Sequence, residues 1–418
     1  MCDYREGELI LAYDEEDPSG RQLIERIDAG AVEHVTRIDD LHSRLERSGV
    51  KAELRMRVHL LRVPEGQEIW KINYLHQHYL ELEKRSYGPL RTVPMIVPNS
   101  YLMLEGFNAS TDYAAYKATL GSMHGATGRR VTVAVVDSGI ESGSAMPAKI
   151  TDLITAPNGT GADQVGHGTA VASVIHDVAP DASVEIVKVT DAQRLVEWDG
   201  LAGLATASSA DVINLSMSFG SGTQVCAQCG RQSISSRSMV FEAIVGLTLQ
   251  KPHEPILVAA AGNYAKAELR YPARFGDVVA VGAVDANGNR AAYSNCGAVD
   301  AAGQPHANLF FAPGGENARP VGTTTAPLPV RGHFGTSLAT AYASAVVACA
   351  RETRGVRAQI LADLRAAATR LPNHVAAYDG IWFKAADAYF IAFRLSRRPA
   401  AACAAIPDRD GPTDSRPP

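Results

Sequence analysis

VTVAVVDSGI, residues 131–140, decides the fold. Its first six residues are apolar or β-branched, without the alternation of a half-exposed strand. A run of this make-up suits a strand buried on both faces. The same texture returns in SVEIVKV (183–189), DVINLS (211–216), ILVAAA (256–261) and VVAVGAV (278–284). Helical stretches lie between them: GTAVASVIHDV (168–178), EWDGLAGLATASS (197–209), SSRSMVFEAIVGLTLQ (235–250) and residues 337–352. Alternating β and α segments predict an α/β class, a mainly parallel sheet with helices on both faces in three layers. Sites on such sheets gather at the carboxyl ends of the strands.

Upstream the texture differs. GELILAY (7–13) reads as a strand and IDDLHSRLERSG (38–49) as a short helix. In AELRMRVHL (52–60) apolar and polar residues alternate, the pattern of a strand with one buried face. QEIWKINYLHQHYLELEKR (67–85) carries a helical stripe, and RTVPMIVPNSYLML (91–104) is extended. The expected organisation is a small β-α-β-α-β domain of the α+β type over 1–105 and a polar linker over 106–128. The main domain follows over 129–395. Residues 396–418 hold five prolines and little that could pack, and are expected to be a disordered tail.

The chain has 418 residues, 46% hydrophobic and 20% charged, ordinary for a globular protein with a sizeable core. A net charge of −5 gives no electrostatic reason to expect nucleic acid or an anionic membrane as partner. No apolar run approaches the roughly 18 residues a spanning helix needs. The start has no basic-then-apolar leader, and six cysteines are too few for a disulfide framework. The expectation is a cytoplasmic protein; an upstream start or a non-classical export route is the other reading.

The strand-end rule picks out four residues. VTVAVV runs into Asp137, a carboxylate that needs a partner if buried. His167 stands between two glycines in GHGTAVASVI at the start of an apolar helix. ILVAAAGN ends in Asn263, whose side-chain amide can donate to an oxyanion. HFGTSLATAYASAVVA (333–348) puts Ser337 at the head of a buried helix, where backbone N–H groups point outward. Taken singly, Asp137 and Asn263 read as turn residues, His167 as incidental to a capping turn, and Ser337 or Thr336 as an N-cap. Together they supply a hydroxyl nucleophile, an imidazole base, a carboxylate to orient it and an oxyanion donor.

These motifs resemble the subtilisin-like serine peptidases, the subtilases. VAVVDSGI resembles the family's aspartate motif, GHGTAVA its histidine motif and GTSLA its serine motif. AAAGN resembles the oxyanion-hole strand, and DVINLSMSFG the strand whose edge pairs with substrate. The resemblance implies a serine endopeptidase with catalytic Asp137, His167 and Ser337 and oxyanion donor Asn263. It further implies a polypeptide substrate bound along Ser216, Met217, Ser218, Ala260, Ala261 and Gly262, with no cofactor. The segment 176–183 is too short for the family's calcium loop, so no metal is carried over. Residues 1–105 loosely resemble a subtilase inhibitory pro-domain, which makes the stretch around Ser100–Phe107 a candidate to thread the active site. A permanent regulatory domain is the other reading. A signalling protease devoted to one partner protein and a non-catalytic binding module on the same fold are the alternatives to a general endopeptidase. Cys226 and Cys229 form a lone CxxC, read as loop thiols rather than as a zinc site.

Overall fold

The computed structural model describes residues 4–51, 54–85, 94–108, 126–141, 146–153, 161–219, 237–266, 268–285, 289–295, 306–316, 333–353, 355–366, 369–370, 378–385 and 388–395. Cys226, Cys229 and the tail lie outside these residues. Among the described residues no helix is long and apolar enough to cross a membrane.

The N-terminal unit runs β1 (Tyr4–Asp14), α1 (Pro18–Asp28), β2 (Thr36–Asp40), α2 (Leu41–Arg47), β3 (Met56–Arg62), α3 (Glu68–Arg85) and β4 (Met95–Leu104), then the short β5 (Phe107–Asn108). Three of these elements were not expected from the sequence: α1, β2 and β5, the last lying where a linker was expected. PSGRQLIERID opens on turn-forming residues, yet it is helix α1, because Asp17 accepts from the Ser19 N–H and Pro18 fits the first turn. The polar TRIDD forms β2 because it pairs with β3.

The second unit contains β6 (Thr132–Asp137), β7 (Ala148–Asp152), α4 (His167–Val178), β8 (Ser183–Lys188), β9 (Arg194–Val196), α5 (Glu197–Ala207), β10 (Val212–Leu215), β11 (Met217–Phe219), α6 (Met239–Leu249), β12 (Ile256–Ala260), β13 (Val279–Val284), β14 (Leu309–Pro313), β15 (His333–Phe334), α7 (Thr336–Thr353), α8 (Arg357–Ala366), β16 (Thr369–Arg370), β17 (Tyr378–Ala385) and β18 (Ala388–Leu395). Seven parallel strands in the order β14-β13-β12-β10-β6-β8-β7 form the sheet, and β18, β17 and β16 extend its edge antiparallel. Val133, Val135, Val212 and Val258 point to the α4 and α7 side; Ala134, Val136, Ile213 and Leu257 point to the α5 and α6 side. Each strand is therefore apolar on both faces, which is why its sequence shows no alternation.

The N-terminal sheet is likewise covered twice. Leu9, Leu11 and Tyr13 pack against Leu23, Ile27 and Tyr79 from α1 and α3. Ile10, Ala12, Val58 and Leu60 join one core with Leu201, Phe241 and Ile244 from α5 and α6. The alternating face of β3 thus finds its cover in the second unit. The two units share a hydrophobic core and a sheet: β4 lies between β11 and β9, antiparallel to both.

Candidate active site

Asp137 ends β6 and His167 opens α4, and both are buried. The imidazole Nδ1 lies 2.8 Å from Asp137 Oδ1, and Ser138 donates to the same oxygen from its backbone N–H at 2.7 Å. Asp163 builds the turn before the histidine. Its carboxylate accepts from the N–H groups of Val165, Gly166 and Thr169 and from the hydroxyls of Ser138 and Thr169. Burial works against its charge, but these bonds hold its carboxyl below the ordinary range. Burial likewise disfavours protonated His167. The Asp137 carboxylate outweighs that, with help from Asp163 and Glu105, so the ring's pKa is raised.

Ser337 sits in the first turn of α7, wholly buried. Its Oγ caps nothing. Ser337 Oγ and His167 Nε2 are both buried without a hydrogen-bond partner. A Cβ added to Gly106 would lie 2.6 Å from that Nε2 and 2.8 Å from that Oγ, so both atoms crowd one point. His333 stands edge-on to His167 with ring centroids 6.5 Å apart, and burial and the neighbouring imidazole push its pKa down to about 4. Asn263 follows β12. Its Oδ1 accepts from the backbone N–H and the hydroxyl of Thr336, each at 2.9 Å, which fixes which way the amide faces. A Cβ on Gly335 would fall 3.0 Å from Asn263 Nδ2 and 2.5 Å from the Glu105 carbonyl oxygen.

That carbonyl belongs to the chain's own N-terminal unit, which runs through the site. Leu102, Met103 and Leu104 pair with Phe219, Ser218 and Met217 on one side, and Tyr101–Met103 pair with Arg194–Val196 on the other. Glu105 donates its N–H to the Ser216 carbonyl at 2.9 Å, and its own carbonyl accepts the Ser337 N–H at 2.9 Å. Gln193 donates to the carbonyls of Leu104 and Gly106. Phe107 and Asn108 then pair with β15. The Glu105 side chain turns inward and is buried. Its carboxyl meets the Ser218 hydroxyl, the Tyr264 hydroxyl and the Asn263 backbone N–H. Arg270 lies behind, its guanidinium carbon 3.6 Å from the Tyr264 ring centroid, and donates to the Phe219 carbonyl at 3.0 Å.

The structure therefore brings Asp137, His167, Asn263 and Ser337 to one place. Of the six residues expected along the substrate, Ser216, Met217 and Ser218 touch the strand in the cleft. Ala260 and Ala261 are buried, with the Ala261 N–H on Val281 and its carbonyl on the Arg270 N–H; the Gly262 carbonyl accepts from Asn295. Sequence reasoning missed Asp163, Gln193, Tyr264, Arg270 and His333. Only Asp163 left a signal, an acid four residues before the histidine.

The subtilase family model matches residues 128–368. The chain belongs to the subtilase family. This subtilase is 29% identical to alkaline elastase YaB of Bacillus sp. (strain YaB), over 62% of this chain and 64% of that protein. It is 30% identical to subtilisin DY of Bacillus licheniformis over 44% of this chain and 66% of that protein. It thus spans slightly less than two thirds of these relatives. The solved structure of the prenylagaramide maturation protease PagA is 24% identical over 58% of this chain and 84% of that one, with a TM-score of 0.43.

Proposed function

We propose that this subtilase is a serine endopeptidase held inactive by its own N-terminal unit, and that the Glu105–Gly106 bond is its first substrate. The observation that carries the reading is the Glu105 carbonyl on the Ser337 N–H, at 2.9 Å, with Gly106 pressed against His167 and Ser337. Ser337 Oγ attacks the carbonyl carbon and its proton passes to His167 Nε2. Asp137 keeps the other ring nitrogen protonated and supports the imidazolium. The negative oxygen is met by the Ser337 N–H and the Asn263 amide, which Thr336 has already oriented, so little reorganisation remains. Collapse breaks the C–N bond, and His167 returns the proton to the departing Gly106 amine. A water deprotonated by His167 then hydrolyses the acyl-enzyme and restores Ser337.

The antiparallel seating of residues 101–104 between β9 and β11 supports the inhibitory part. It is strand addition, in which main-chain bonds give affinity and side-chain pockets give selectivity. An external polypeptide would have to take the same place. A fluorophosphonate and intact mass measurement test the reading together. Wild type is expected to be cut after Glu105 and labelled at Ser337, and Ser337→Ala to do neither. A wild-type chain that stays whole and unlabelled leaves the binding-module alternative standing instead.

A further inference from the structure

Resting on that reading, we infer that the pocket for the residue before the cut is a glutamate pocket, and that this peptidase cleaves external polypeptides after glutamate. The Glu105 side chain is the internal sample of the ligand. It is 2% exposed, and the groups that meet its carboxyl can all donate. Ser218 brings a hydroxyl from β11, the Asn263 backbone brings an N–H, and Tyr264 brings a phenol. Burial and the nearby carboxyl push the Tyr264 phenol far above its ordinary range, so it keeps its proton to give. Arg270 adds the positive charge. It is 3% exposed and lies over the Tyr264 ring. Burial raises the Glu105 carboxyl's pKa, and the pull of Arg270 and the three donors works against that rise.

Such a lining selects by what it would leave unpaired. A leucine before the cut would leave two hydroxyls and an N–H without the carboxyl they meet and the Arg270 charge without its counter-charge, and buried donors without acceptors are costly. A lysine or arginine would bring a second positive charge to Arg270. A pocket built to hydrogen-bond one group rejects a substrate lacking it far more strongly than an apolar pocket rejects a missing methylene. Ser218, Tyr264 and Arg270 all act on the Glu105 carboxyl, and none of the three is acidic. Ser218→Asp would put an acid there, and is the change expected to turn the preference against glutamate.

The test uses the full chain and peptides of the form Tyr-Leu-Met-Leu-X, copied from residues 101–104, with a fluorogenic group after X. Fluorophosphonate titration counts the competent Ser337 sites, so kcat/KM is read per active enzyme. With X as glutamate, kcat/KM is expected to exceed that for leucine or arginine by about 10²-fold or more. Arg270→Met and, independently, Ser218→Ala should each shrink the ratio of glutamate to leucine while titration still finds the labelled serine. A wild-type enzyme that labels but prefers leucine or arginine, or treats all of them alike, overturns the glutamate pocket alone. An enzyme that neither labels nor cleaves overturns the peptidase reading, and the pocket with it.

Discussion

Replacing Glu197 by glutamine should stabilise the full chain by an amount that grows with pH. Glu197 opens α5 at the seam between the two units and is wholly buried. The Ser238 hydroxyl donates to Oε1, while Oε2 has no hydrogen-bond partner. Asn99 of β4 accepts the N–H of the next residue, Trp198, at 3.0 Å. Burial pushes the Glu197 carboxyl from 4.5 up to about 8, against the weaker opposing pull of Ser238 and the Ser100 backbone N–H. A carboxyl raised on folding contributes its full stability below its unfolded pKa and loses it as pH climbs towards the folded one. Between about pH 5 and 8 the loss is about 1.4 kcal/mol for each pH unit, so about 2.7 kcal/mol from pH 5 to 7. Glutamine has no such dependence. Urea unfolding in a Ser337→Ala background, which keeps the chain whole, reads the effect at pH 5, 6, 7, 8 and 9. The gap between the glutamine and glutamate forms should widen up to pH 8 and then level off. Profiles that run parallel would refute the reasoning, since they would mean that folding does not move the carboxyl's titration.

Two further outcomes follow from the site. Because the Asp137 carboxylate outweighs burial and raises the His167 pKa, fluorophosphonate labelling should fall on acidification with a midpoint above 6.5; Asp137→Asn should slow labelling and move that midpoint down. Gly106→Val would push a side chain to within 2.6 Å of His167 Nε2 and 2.8 Å of Ser337 Oγ. Overpacking of about 1–3 kcal/mol should unseat the strand, speed labelling of the full chain by about tenfold or more, and leave the 105–106 bond uncut, as read by gel and intact mass.

The sheet was legible because its strands are buried on both faces, so Val133 to Val136 or Leu257 to Ala260 appear as unbroken apolar runs. The gathering of Asp137, His167, Asn263 and Ser337 followed from the same strands, since three of the four lie at or just past a strand's carboxyl end. The N-terminal unit was harder. Met56, Val58 and Leu60 announce a buried face, but nothing local says that Leu201 and Phe241, far along the chain, cover it. Helix α1 hides behind Asp17, Pro18, Ser19 and Gly20, which serve equally well in a turn. The surroundings of Glu105 were illegible for a different reason. Ser218, Tyr264 and Arg270 come from separate segments with no shared periodicity, and only the folded chain places them around one carboxyl.

On the proposed reading, inhibition and selectivity draw on the same contacts, which has a consequence for activation. Cutting the Glu105–Gly106 bond leaves intact the pairing of residues 101–104 with β9 and β11, the Glu105 side chain among its donors, and the apolar core that β1 and β3 share with α5 and α6. The cut adds a new carboxylate next to the Ser337 N–H and removes only the tether to β5. On the proposed reading, processing and release are separate events, and the N-terminal unit leaves only slowly until something loosens that shared core. Glu197 is a wholly buried acid of the second unit at the seam, and burial favours its neutral form there. Rising pH is expected to weaken the shared core through that group, whereas on the proposed reading substrate competes with the strand in the cleft. Weakening Arg270 loosens only the cleft, so it should lower selectivity without dissolving the seam.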